Sequence, residues 1–241
     1  MRAETRHQLK QDRFRGATID AAEKTVHWSV EHKNKLFAAA VVALIVAAGA
    51  AGTWYYLTQQ DEKASVDLSR AVRALDTPLR PSGMPPQPDN PSFASLNERA
   101  TEARKQFQAI VEKYPHTRSG EIARYFLGLT ASQLGDYAAA ERDLGAVASS
   151  YNNDLAALAK FALAAVYRNT NRNKQAIDIY VKLIEKPTHA VGRVTAQLEL
   201  ATAYRSDKQP LEAKRIYEQI QKENPASEAA QLASAKLQEL K

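Results

Sequence analysis

Five histidines, no cysteine and a mixed set of carboxylates bound the chemistry open to this 241-residue chain. Without a thiol there is no Cys nucleophile, no Cys-based zinc site, no disulfide framework and no lipidated N-terminal Cys. The nearest approach to a metal helix is His27-x-x-x-Glu31-His32. A zinc helix needs its two imidazoles four residues apart, on one face, and here they stand one residue further apart. No Gly-rich phosphate loop precedes a Lys-Ser or Lys-Thr pair, and no G-x-S-x-G elbow is present. The sequence therefore predicts no cofactor, no metal and no catalytic constellation, and a chain that is not an enzyme. What remains is binding chemistry. Ile122, Tyr125, Leu129, Leu158, Phe161, Arg168, Leu198, Thr202 and Arg205 form an apolar and aromatic set with two cations. At helical spacing such a set can line a groove for a protein or an extended peptide, or bury against neighbouring helices.

The elements that position these residues follow from the apolar patterning. Residues 36 to 57 (LFAAAVVALIVAAGAAGTWYYL) carry no charge, and a helix of that length reaches roughly 33 Å, close to a bilayer core of about 30 Å. Trp54, Tyr55 and Tyr56 sit at one end, where an interfacial aromatic belt belongs. A buried soluble helix and a cleaved signal peptide are the alternatives. The 35 residues ahead of the run exceed a usual signal n-region, so an uncleaved anchor is expected. Residues 1–35 hold eight Lys and Arg, and the 35 residues after the run hold four. The positive-inside rule then keeps the tail in the cytoplasm and sends residues 58 onward across a bacterial inner membrane, into the periplasm. In the tail, Phe14, Ala17, Ala21 and Trp28 fall at helical spacing. Within the span, Ala39, Ala43, Ala47 and Ala51 form a small-residue stripe through which a membrane protein partner could pack.

Five segments result: a tail (1–35), a transmembrane helix (36–57), a juxtamembrane helix (58–77), a Pro-rich spacer (78–94) and a repeat domain (95–241). The spacer concentrates six of the ten prolines, which remove backbone donors and hold the chain extended. Beyond it no strand pattern appears. The formal charge of +6 divides evenly between tail and remainder, with signs mixed throughout, and so does not suggest nucleic acid.

The repeat domain repeats itself. Ala103, Ala140, Ala176 and Ala213 stand 37, 36 and 37 residues apart. Four residues after each comes a bulky side chain (Phe107, Leu144, Tyr180, Tyr217), and seven after each an aliphatic one (Ile110, Val147, Leu183, Ile220). Small, large, large at these offsets is one face of a packed helix. Twelve residues before the last three of these Ala stand Gly128, Ala164 and Ala201, each preceded by Leu. Turn sequences separate the helices at 134–137, 169–172 and 206–210.

This pattern resembles the tetratricopeptide repeat, a helical hairpin with Leu-Gly, Tyr, Ala, aromatic and Pro at these offsets. Leu127-Gly128, Leu134-Gly135-Asp136-Tyr137 and Ala140 match well. Pro115 and Pro225 stand where the repeat places Pro. The spacing is longer than usual, and the Trp of the first helix is replaced by Arg124, Lys160 and Gln197. The expected fold is all-α: one transmembrane helix, then a solenoid of about three and a half hairpins, the first interrupted by the Pro-rich segment, with a C-terminal capping helix. In such an array the first helix of each hairpin lines the concave face. The carboxylate-gripping Lys and Asn of the chaperone-docking subclass are absent, since those points hold Tyr125 and Leu129, Phe161 and Ala165, or Leu198 and Thr202.

One anchor plus an exported repeat domain also resembles the YfgM-like family of ancillary SecYEG translocon subunits. That resemblance implies a scaffold receiving newly exported chains alongside periplasmic chaperones. An adaptor in envelope assembly or cell division, or a regulatory subunit of a membrane enzyme, fits the same architecture.

Overall fold

The computed structural model describes residues 32–81, 83–84 and 92–240. The tail pattern at Phe14, Ala17, Ala21 and Trp28, the His27–Glu31 pair and most of the Pro-rich stretch lie outside the described residues. Nine helices and no strand longer than a single bridge are found among them. These are α1 (Lys33–Asp76), α2 (Leu96–Lys113), α3 (Arg118–Gln133), α4 (Tyr137–Val147), α5 (Asn153–Asn169), α6 (Asn173–Glu185), α7 (Arg193–Ser206), α8 (Pro210–Glu223) and α9 (Glu228–Gln238). The chain divides into two compact units, Met1–Tyr56 and Leu57–Lys241.

In the first unit, the apolar residues of α1 are exposed, among them Phe37, Val42, Leu44, Ile45 and Trp54. Its most apolar window has a mean hydropathy of 2.2 and no buried residue, and by length and composition it can cross a membrane. A signal sequence near an N-terminus can meet the same criteria of length and composition.

The second unit is a stack of helical hairpins, and its core follows the repeat register. Ala103, Ala140, Ala176 and Ala213 are wholly buried, as are Phe107, Leu144, Tyr180 and, within a percent, Tyr217. Small residues on the partner helices meet them: a side chain at Gly128 would run into Leu144, 2.6 Å from its Cγ. Side-chain caps start five of the helices. Ser95, Thr117, Asp136, Asn152 and Ser227 each accept a backbone N–H of the first turn, which satisfies donors that helix geometry leaves unpaired.

One expectation is corrected here. The first hairpin is complete, not half. The stretch of α1 within this unit packs Ala64, Leu68, Ala71, Val72 and Leu75 against Ala103, Phe107 and Ile110. Asp67 of α1 accepts from the Tyr114 hydroxyl at 3.3 Å, and Asp61 from the Ser119 N–H at 2.7 Å. The Pro-rich segment is therefore the turn between the two helices of that hairpin. Its base is tied by Arg80 N–H to Phe93 O (2.8 Å), Phe93 N–H to Pro78 O (3.2 Å) and Arg80 Nη1 to Ser92 O (2.9 Å). The unit thus holds four hairpins (α1–α2, α3–α4, α5–α6, α7–α8) and the terminal helix α9.

The turns inside the last three hairpins share a left-handed residue: Gly135 (φ 79°), Asn171 (φ 59°) and Lys208 (φ 59°). Only Gly adopts this region freely, Asn tolerates it, and a Lys bears the steric cost of its Cβ. Lys208→Gly should raise stability by roughly 0.5–1 kcal/mol, the relief of strain exceeding the added chain entropy. A thermal melt of the variant that shows no gain would mean the Lys208 conformation is unstrained.

Candidate functional site

First helices of successive hairpins lie close together, α3 to α5 and α5 to α7, as does α7 to the terminal α9, whereas the backbones of α4 and α6, and of α6 and α8, stand further apart. Neighbours that touch on one side and part on the other give a curved layer whose inner side is built by α3, α5 and α7. All nine groove candidates lie on these three helices, and each is half-buried.

Their surroundings separate them into two kinds. Tyr125 and Leu129 of α3 lean on Ala131, Ala139 and Leu163. Ile122 shares a second contact set with Tyr125, against Val147, Leu155 and Ala159. Leu158 and Phe161 of α5 pack on the cluster around Tyr180, with the Phe161 ring edge-on to Tyr180 at 5.6 Å. Leu198 of α7 rests on Tyr217 and Ile220. Each presents one side to the core and leaves the other open, so these apolar side chains both hold the layer together and surface it. Partial burial pushes the Tyr125 phenol up from its ordinary pKa, and deeper burial does the same to Tyr180, whose hydroxyl has no hydrogen-bond partner among the described residues. Both phenols are neutral at physiological pH, Tyr125 half-exposed on the inner side and Tyr180 wholly buried beneath it.

The polar members are engaged within the layer. Arg168 donates to Glu199 at 2.7 Å, spanning α5 and α7, and Arg205 donates to Glu239 at 3.2 Å, just beyond α9. The Thr202 hydroxyl donates to the Leu198 carbonyl at 3.0 Å. The two arginines therefore fasten consecutive hairpins and present little free positive charge to a ligand. The outer helices carry matching fasteners. Arg104 reaches Asp136 at 2.7 Å, and Arg172 grips Glu141 through both terminal nitrogens at 3.1 and 2.6 Å while lying over the Tyr167 ring. Sequence reasoning missed Glu199, Glu239, Glu141 and Asp136. Their signal is an opposite charge 31 to 34 residues away, slightly less than one repeat, recurring four times.

These pairs make stability depend on acid. The Arg104 guanidinium, with the Ala139 N–H, holds the Asp136 carboxyl below its ordinary range, and Arg172 does the same to Glu141. Lowered carboxyl pKa values mean that the unfolded chain binds more protons in acid. The contribution is complete above the ordinary carboxylate range, about pH 4, and is lost as pH falls through the lowered values. Both pairs are more than a third exposed on one side or the other, so screening limits each to about 1 kcal/mol or less. The double variant Asp136→Asn, Glu141→Gln should melt below its parent at pH 7, and the gap should narrow steadily as pH falls below the ordinary carboxylate range. A gap that does not change with pH would show that packing, not charge, is lost.

Among the described residues no group of three or more His, Asp or Glu converges in a way that could hold a metal ion. The Ala39, Ala43, Ala47 and Ala51 stripe lies on the exposed part of α1.

Two family models match the chain. One, for a tetratricopeptide repeat-like domain, spans residues 26–188, and one for a tetratricopeptide repeat spans 195–227. The first takes in the apolar part of α1 as well as the first three hairpins, and the second takes in the fourth. No curated protein matches the chain.

Proposed function

Because the chain belongs to the tetratricopeptide repeat-like domain family, we propose that it is a membrane-anchored scaffold whose inner surface holds partner proteins on the far side of a bacterial inner membrane. Proteins of this repeat family generally serve as surfaces for protein–protein interaction, and nothing in the set of side chains asks for a catalytic role. The observation that carries the reading is the half-exposed row Tyr125, Leu129, Phe161 and Leu198 on the touching helices α3, α5 and α7. Aromatic side chains bury the most area per ordered torsion, so such a row suits extended or partly unfolded chains with apolar residues.

The anchor is residues 36–57, uncharged throughout and exposed from 36 to 56. With the Lys and Arg excess on the preceding tail, the repeat unit falls on the periplasmic side. That arrangement suits an ancillary subunit of the Sec translocon, which meets chains as they emerge and passes them to periplasmic chaperones. Partners in envelope assembly or cell division would use the same surface.

Tyr125→Ser with Phe161→Ser should weaken binding of an unfolded client on the order of tenfold while far-UV circular dichroism stays near that of the parent. Undiminished binding removes the inner surface as the site. A collapse of helicity shows instead that the two rings are needed chiefly as core.

A further inference from the structure

The inner surface leaves a second feature unused, at the edge where the chain enters the repeat unit. Leu57 ends the uncharged run and opens that unit. Four residues on, about 6 Å of helix, Asp61 accepts the Ser119 N–H and so pins the start of α3 to the same edge. Beside this pin, the connections α2–α3 and α4–α5 enclose a cleft of about 600 Å³.

His116, Arg118 and Arg124 stand on one wall, with Glu121 as the cleft's one carboxylate, and Val147 and Tyr151 stand on the other. His116 and Arg118 are exposed, and Tyr151 is wholly so, with no packing contact to account for an aromatic ring there. Arg104, Arg142, Arg168, Arg172 and Arg205 are all held in ion pairs. Among the described residues Arg118 and Arg124 are in none. Their guanidinium groups keep free donors in the planar fork that fits a phosphate.

Two unpaired guanidinium groups and an exposed phenol are what a protein uses to sit against phosphodiester head groups, the arginines on phosphate and the amphipathic ring at head-group depth. An acidic peptide would satisfy the cations but gives no reason for a wholly exposed Tyr151 beside the point of chain entry. We propose that this cleft seats the phosphate of an anionic membrane lipid and so docks the entry edge of the repeat unit on the bilayer. The proposal rests on the reading of residues 36–57 as a membrane span.

The chain has no cysteine, so a single Ser149→Cys carries one fluorophore next to the cleft, and Ser206→Cys carries one at the C-terminal end of α7, at the other end of a hairpin. Both full-length proteins are placed in nanodiscs of phosphatidylcholine with or without phosphatidylglycerol, containing a head-group nitroxide quencher. Quenching at position 149 should exceed that at 206 only when phosphatidylglycerol is present. The docked-to-free ratio should fall on the order of fivefold for each of Arg118→Gln and Arg124→Gln, and fall less for Arg118→Lys, which keeps the charge and loses the fork. Circular dichroism identical to the parent certifies each variant as folded. Equal quenching at the two positions, or quenching indifferent to the lipid or to the arginines, overturns the proposal. So does a response of the 149 label to soluble polyglutamate with none to phosphatidylglycerol, which assigns the cleft to an acidic peptide. A chain that fails to co-elute with the discs overturns the span itself. One that co-elutes and does not dock overturns only the lipid site.

Discussion

Gly120→Ala should lower stability by about 3 kcal/mol or more, roughly 6–12 °C in melting temperature for a unit of this size. Propensity argues the other way, since Ala in a helix interior is better than Gly by about 1 kcal/mol. The geometry overrides it. A Cβ at Gly120 would fall on the Tyr114 carbonyl oxygen and stand 3.0 Å from Thr117 Oγ1. The obstacle is backbone, and it is held: Tyr114 O accepts the Thr117 N–H at 3.3 Å and its hydroxyl at 3.1 Å. Thr117 Oγ1 in turn caps α3 by accepting the Gly120 N–H at 3.0 Å. Moving the carbonyl aside breaks the cap and the corner together. Gly145→Ala supplies the control. Nothing lies within 4 Å of a Cβ there, so in α4 the same substitution should stabilise by roughly 0.5–1 kcal/mol. Melting curves of opposite sign for the two variants are the expected result, and a neutral Gly120→Ala would mean the corner yields.

Ala71→Asp should be as damaging. Ala71 is wholly buried in the apolar cluster of Phe107 and Ile110, and a carboxylate there would be buried among apolar side chains. An unpaired buried charge costs about 3–5 kcal/mol, enough to detach α1 from α2. Limited proteolysis should then cut within residues 57–76, while the three following hairpins stay protected, because each hairpin depends chiefly on its neighbours. Val66→Asp, on the exposed side of the same stretch, should leave digestion unchanged. Cleavage equal in both variants would mean that this stretch of α1 does not pack on α2.

The contrast between those two sites explains how much was legible in the sequence. Ala103, Ala140, Ala176 and Ala213 announce their helices because small, large, large at i, i+4 and i+7 is a local signal, readable from one segment at a time. The repeat then makes each reading check the others. Ala64 and Ala71 fall in the juxtamembrane helix expected over 58–77, but nothing local says what that helix covers. Their partner Phe107 lies beyond the prolines, 36 residues from Ala71, whereas Gly128 meets Leu144 only 16 residues on in the next hairpin. The aromatic row was legible for the same reason as the core, since Tyr125, Phe161 and Leu198 recur on equivalent turns. The state of Arg168 and Arg205 was not. A cation at a groove position reads as free until Glu199 and Glu239, one hairpin further on, are brought beside it. Tyr151 and Arg118 carry no periodicity, Arg124 stands at a repeat position whose equivalents are Lys160 and Gln197, and only the approach of two connections gathers the three.

The knotted base of the Pro-rich turn has a practical consequence. Arg80 bonds to Phe93 O and Ser92 O, and Arg99 donates to Thr77 O at 3.0 Å, so both ends of the insert are held in place. Loop length then enters the stability of the hairpin only through closure entropy, about 0.6 kcal/mol for each doubling. The interval between Pro81 and Ser92 is a splice point: an epitope, a fluorescent domain or a protease site can be set there with the repeat array left in register.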